Sequence, residues 1–228
     1  MELPLIAKSL TGLLALGVAG TSAVYFGYFY ENGGIHISEL LKTTNPEKRF
    51  ISNSLESSDQ NWKDAWKKYR EDHKNENKEP LSLSDWSRPS GEIKNDQNTP
   101  QSFVNACSSI KGEKVKDSKS SRYELALKYC TRDTLVKDLI EEKGSRSLLA
   151  KTGSSGTSEA WKAAWKTYVD DNKSNDSNLW TLDNWTTIKA QEDAPDSFMT
   201  KCETKSKEKW EDSKYLEVNK YCTELKKN

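Results

Sequence analysis

The block Trp62-Lys63-Asp64-Ala65-Trp66-Lys67-Lys68-Tyr69 recurs 99 residues later as Trp161-Lys162-Ala163-Ala164-Trp165-Lys166-Thr167-Tyr168. The same offset carries Leu83 to Leu182 and Trp86 to Trp185. It then shortens, as loops do. Pro100, Phe103 and Cys107 match Pro195, Phe198 and Cys202 at an offset of 95, and Tyr123, Tyr129, Cys130 and Thr131 match Tyr215, Tyr221, Cys222 and Thr223 at 92. Upstream, Leu40-Leu41 and Phe50-Ile51 resemble Leu139-Ile140 and Leu148-Leu149. An ordered series of Trp, Trp, Tyr, Trp, Phe, Cys, Tyr and Cys that occurs twice records a duplication. The chain is therefore expected to fold as two tandem copies of one small module, residues 35–132 and 133–228.

Within each module the spacing is helical. Trp62, Ala65, Trp66 and Tyr69 stand at i, i+3, i+4 and i+7, one stripe of a helix. Ser57-Ser58-Asp59-Gln60 fits a capping box before it, with Gly156 at the Ser57 position in the second copy. A polar loop follows through Asn75 to Pro80. Pro100 and Pro195 suit the first turn of a second helix, which puts Phe103 and Cys107, or Phe198 and Cys202, on one face. A third helix carries Tyr123, Ala126, Leu127 and Cys130, and its counterpart Tyr215, Val218 and Cys222. The Leu-Ser-Asp-Trp segment reads equally as a helical turn or a strand. The fold class expected is mainly α.

Four cysteines fall two per module, at matching places, and the repeat favours Cys107–Cys130 and Cys202–Cys222 among the three pairings open. Each bridge would clip the second helix to the third, and for a loop of that size is worth roughly 3 kcal/mol. Four thiolates on one zinc would need the modules to converge and lack the close C-x-x-C pairs of such sites. Unpaired buried thiols are the remaining alternative. Disulfides require an oxidising compartment.

That requirement agrees with the amino-terminal segment. After residues 1–9, the stretch 10–30 has no charged side chain and ends in Tyr25, Phe26, Tyr28, Phe29 and Tyr30, ring types that settle at a membrane interface. At about 1.5 Å per residue its length matches a hydrocarbon core of about 30 Å. Residues 31–34 form a juncture. A single transmembrane helix or signal anchor is expected, with a signal peptide cleaved near Ala23 as the rival. Ala15, Ala19, Ala23 and Gly27 fall four apart, a small-residue ridge suited to helix pairing.

Composition narrows the function classes. Mean hydropathy is −0.90, and 35 basic residues balance 35 acidic ones. The signs alternate at short range, without the clustered Lys and Arg of a nucleic-acid surface. All eight tryptophans lie beyond the apolar leader, enough large aromatics to build two small cores. His36 and His73 lack counterparts and read as surface residues. Gly153-Ser154-Ser155-Gly156 reads as a linker. No motif of nucleophilic, metal or phosphate chemistry is present, so no catalytic residue, cofactor or metal is assigned. Trp62, Trp66, Trp161 and Trp165 fit core packing. Trp86 and Trp185, in loop-like context, are either core plugs or exposed platforms for a ligand. Trp180 and Trp210 occur in the second copy alone, which makes them candidates for a copy-specific contact surface.

The Gly- and Ala-rich opening from Met1 to Tyr30, with modules of Trp-x6-Tyr, Phe-x3-Cys and Tyr-Cys, resembles the paralogous families of uncharacterised surface proteins in haemotropic mycoplasmas. The resemblance implies a single-pass cell-membrane protein with its modules on the extracellular side. It further implies a non-catalytic antigen or a host-contact protein meeting host surface or serum proteins. The alternative is a self-associating coat or scaffold, a homo-oligomer, and a remoter one is an enzyme whose site no motif marks.

Overall fold

The structure, a computed structural model, describes residues 33–174 and 177–226. The transmembrane segment expected at 10–30 lies outside the described residues. Among the described residues no helix is long and apolar enough to cross a membrane. The chain is mainly helical and divides into two compact units: residues 33–44 with 50–130, and residues 45–49 with 131–226.

In the first unit β1 (Ile35–His36) pairs antiparallel with β3 (Lys114–Val115), Ile35 opposite Val115. Helix α1 (Ile37–Thr44) buries Ile37, Leu40 and Leu41. Helix α2 (Gln60–His73) begins where the Asp59 side chain accepts from the Asn61 amide at 2.9 Å, a single cap rather than the reciprocal box expected. Such a cap is worth about 1 kcal/mol. Its stripe of Trp62, Ala65, Trp66 and Tyr69 is buried against Phe103, Val104 and Cys107 of α3 (Gln101–Gly112) and Tyr129 of α4 (Ser121–Tyr129). Helix α1 closes a second cluster with Ile110, Tyr123 and Ala126.

The second unit repeats this plan. Helix α5 (Val136–Lys143) precedes β5 (Arg146–Leu148). Helix α6 (Glu159–Asn172) carries the second tryptophan stripe and is capped by Ser158, whose hydroxyl accepts from the Trp161 amide. The Leu-Asp-Asn-Trp segment runs into a one-turn helix, α7 (Trp185–Ile188), whereas Leu83–Trp86 stays a turn without a helix. Helices α8 (Asp196–Ser206) and α9 (Asp212–Tyr221) follow, then β8 (Thr223–Leu225), which pairs antiparallel with β5 in the register Arg146 to Leu225. Strand β4 (Thr131–Asp133) takes the place of β8 after the first module and pairs with β2 (Lys48–Phe50). There Lys48 Nζ lies 2.7 Å from Asp133, both in the second unit.

Gly153–Gly156 is not the linker expected. Ser155–Gly156 forms β6, paired with β7 (Ala194–Pro195), and Gly156 is buried. A Cβ there would meet Ala194 Cβ at 2.7 Å, Trp161 Cβ at 2.9 Å and Met199 Sδ at 3.0 Å. The glycine is required by close approach of three elements, a role that its flexible-looking neighbours conceal.

Candidate functional site

At the centre of each unit a tyrosine hydroxyl lies at the bottom of an aromatic cage. Tyr69 is ringed by Trp66, Trp86, Phe103 and Tyr129, at centroid distances of 4.9 to 6.0 Å. Its hydroxyl donates to Glu79 and accepts from the Leu81 amide at 3.0 Å, while Glu79 also accepts from the amides of Leu81 and Leu83. Tyr168 repeats the arrangement with an amide in place of the carboxylate. Its hydroxyl donates to Asn178 Oδ1 at 2.8 Å and accepts from the Trp180 amide at 2.8 Å. Asn178 Oδ1 also takes the Leu182 amide at 2.9 Å. Glu79 and Asn178 stand 99 residues apart, the offset of the helices. Burial pushes the Tyr168 phenol up to about 12. Burial and the Glu79 hydrogen bond raise Tyr69 as well.

The loop that supplies these amides turns through non-glycine residues in left-handed backbone, Ser82 at φ 52° and Thr181 at φ 50°. A β-branched residue there is unfavourable, and the buried acceptors at Glu79 and Asn178 hold it in place. A second repeated contact lies nearer the surface. Tyr129 donates to Asp72 at 2.9 Å beside Lys128, and Tyr221 to Asp171 at 2.8 Å beside Lys220. The lysine and tyrosine hydrogen bonds hold both carboxylates below their usual range.

Both disulfides close between the cysteines that the repeat pairs, Cys107–Cys130 and Cys202–Cys222, with Cα atoms 5.4 Å apart in each. All four cysteines are buried. The four candidate tryptophans part company. Trp180 and Trp185 are not exposed platforms: they are 3% and 5% accessible. Trp185 stands edge-on to Trp165 at 6.0 Å, and Trp180 lies nearly parallel to Phe198 at 5.6 Å with its indole N–H on Glu217 at 2.8 Å. A chain poor in aliphatic residues fills its core with whatever large rings it has. Trp86 and Trp210 keep some accessible surface. The Trp86 indole N–H donates to the Glu76 carbonyl at 3.0 Å, whereas that of Trp210 is enclosed and bonded to nothing among the described residues.

His73 is likewise buried rather than superficial. Its ring packs on Tyr69 at 4.6 Å and Tyr129 at 5.6 Å, with Nδ1 3.0 Å from Glu76 and Nε2 enclosed without a partner. Its position, the last residue of α2, continues the stripe by four beyond Tyr69, a signal that was present in the spacing. The matching residue Asn172 is fully employed: Nδ2 donates to the Tyr168 carbonyl and Oδ1 accepts from the Leu179 amide. Arg70 lies over the Trp66 ring at 5.4 Å and donates to the Lys94 carbonyl and Gln97. His36 is half-buried with Nδ1 2.8 Å from the Gly112 carbonyl.

Among the described residues no group of three His, Cys, Asp or Glu side chains is placed to hold a metal ion. No protein family, no curated protein and no solved structure matches this chain. The tyrosine nodes are sealed and their acceptors occupied, so they position loops and do not meet a ligand. What faces solvent is a groove of about 780 Å³ in the second unit, between α6 and the β5–β8 pair. A smaller hollow of about 550 Å³ in the first unit is lined by charged residues that include Lys67, Glu71 and Lys94.

Proposed function

We propose that this chain is a non-catalytic surface protein, held in the cell membrane by residues 10–30 and presenting two stapled modules outside the cell for contact with host surface or serum proteins. One observation carries the reading: the same buried disulfide is built into both modules, tying α3 to the end of α4 and α8 to the end of α9. Thiols are held reduced in the cytosol and bridged outside it. The sealed tyrosine nodes support the reading further, because their polar atoms serve the fold and leave loops and grooves to do the binding.

The test is a non-reducing peptide map of the protein from its native cells, with labelling of intact cells by an amine reagent that cannot cross membranes. Bridged cysteines and labelled lysines in 35–226 are expected. Four free thiols, or lysines protected until the cells are broken, would refute the reading. Contact is tested with the full chain in detergent against host cells and serum proteins, where absence of any binding argues against the host-contact role.

A further inference from the structure

The two copies differ most tellingly at one place. At the strand pair that follows the first copy's last helix, and that belongs with the second unit, the cation Lys48 meets Asp133 at 2.7 Å. In the second, the equivalent strands oppose Arg146 with Leu225, which is 66% exposed. The cation has been kept and its carboxylate replaced by an apolar side chain. Among the described residues Arg146 bonds only to Thr223, through the hydroxyl and the carbonyl, and Glu224 makes no ion pair. A lone exposed leucine is ordinary. This one lines the groove beside α6, where the first copy's Asn61 and Asp64 have become Ala160 and Ala163. Together with Ala164 these alanines stand at i, i+3 and i+4, a shallow trough on one helix face.

We propose that this groove is the contact surface of a two-fold pair formed with a second copy of the chain. In such a pair a contact made one way is made again the other way. Leu225 of each copy enters the alanine trough of the other, and each Arg146 finds in the other copy's Glu224 the carboxylate that its own strand lacks. The occupant follows from the charges. One groove carries an unpaired cation and an unpaired anion, which a partner of single sign would leave half unmet and a second copy satisfies at both ends. The pairing stands on the second unit alone and does not depend on the host-contact reading.

The test is the mass and dissociation constant of the full chain in detergent, for the natural sequence and for Ala163→Asp and Leu225→Asp. Both changes install the residue found at the matching place of the repeat, Asp64 for Ala163 and Asp133 for Leu225, and peptide mapping checks that both disulfides remain. A dimer is expected, with Leu225→Asp weakening it by roughly a hundredfold, as removal of two buried leucines requires. Arg146→Glu alone weakens the dimer, and Arg146→Glu with Glu224→Arg restores it, which separates a contact from a folding defect. A strict monomer overturns the proposal. So does an assembly indifferent to both Asp substitutions, as pairing through the Ala15–Gly27 ridge would be, or a chain that stays single and pairs only with a different protein.

Discussion

Tyr168→Phe removes one oxygen from the centre of the second unit, and the structure sets what that costs. The hydroxyl makes two bonds of 2.8 Å, one given to Asn178 and one received from the Trp180 amide. Each is worth about 0.5–1.5 kcal/mol net, and a buried donor left unpaired adds about 1–3 kcal/mol. Asn178 keeps the Leu182 amide and carbonyl, so only the Trp180 N–H is stranded. The expected loss is about 2–4 kcal/mol, a factor of roughly 30 to 1,000 in the folded-to-unfolded ratio. Tyr69→Phe differs in kind, because the Leu81 amide still has Glu79 at 2.6 Å and no donor is stranded. Urea unfolding followed by tryptophan fluorescence measures both, with Tyr221→Phe as a control whose hydroxyl has a partly exposed partner, Asp171. A loss below about 1 kcal/mol for Tyr168→Phe would refute the account of the node as the anchor of its loop.

Gly156→Ala should destabilise the second unit by about 3 kcal/mol or more, since two of the three atoms in the way are Cβ atoms fixed to backbone; a near-neutral melting shift would show that the close approach relaxes. Thr181→Gly should stabilise by about 0.5–1 kcal/mol, as relief of left-handed strain exceeds the entropy that glycine adds to the unfolded chain; denaturant midpoints decide it. Alkali should unfold the protein through Tyr168. Its phenol titrates higher when folded, so the stability it contributes is complete below about pH 10 and is lost as pH rises towards 12, by roughly 3 kcal/mol. That alkaline slope should shrink in Tyr168→Phe.

The repeat, the helical stripes and the cysteine pairs were legible because each depends on residue type and spacing alone. What escaped depends on shape. Glu79 and Asn178 occupy one position in the duplicated plan, yet as different letters they leave no identity to match, although each presents an oxygen to the matching tyrosine and to the matching amide, that of Leu83 or Leu182. Gly156 sits in a run that composition marks as flexible, and only three-dimensional crowding shows it to be fixed. Trp180 falls in a loop and Trp185 opens the single turn of α7 in loop-like sequence, and such stretches are normally superficial; here both rings reach inward and join the stripe of α6 in one core. The groove was invisible for a further reason. It is defined by the loss of a counter-charge at Leu225, which becomes apparent once the strands are paired.

The antiparallel pairing of β5 with β8 also governs how the second unit bears a load. Tension applied across Arg146 and Leu225 pulls on facing ends of a three-residue ladder, so its bonds open one after another as a zipper does. The tear travels to Thr223 and meets Cys222, whose bridge to Cys202 carries the force covalently past residues 203–221 and leaves that stretch unloaded. A unit loaded this way gives up its short hem first and shields α9 and the end of α8, which lie between the bridged cysteines, while α6 stays in the path of the load.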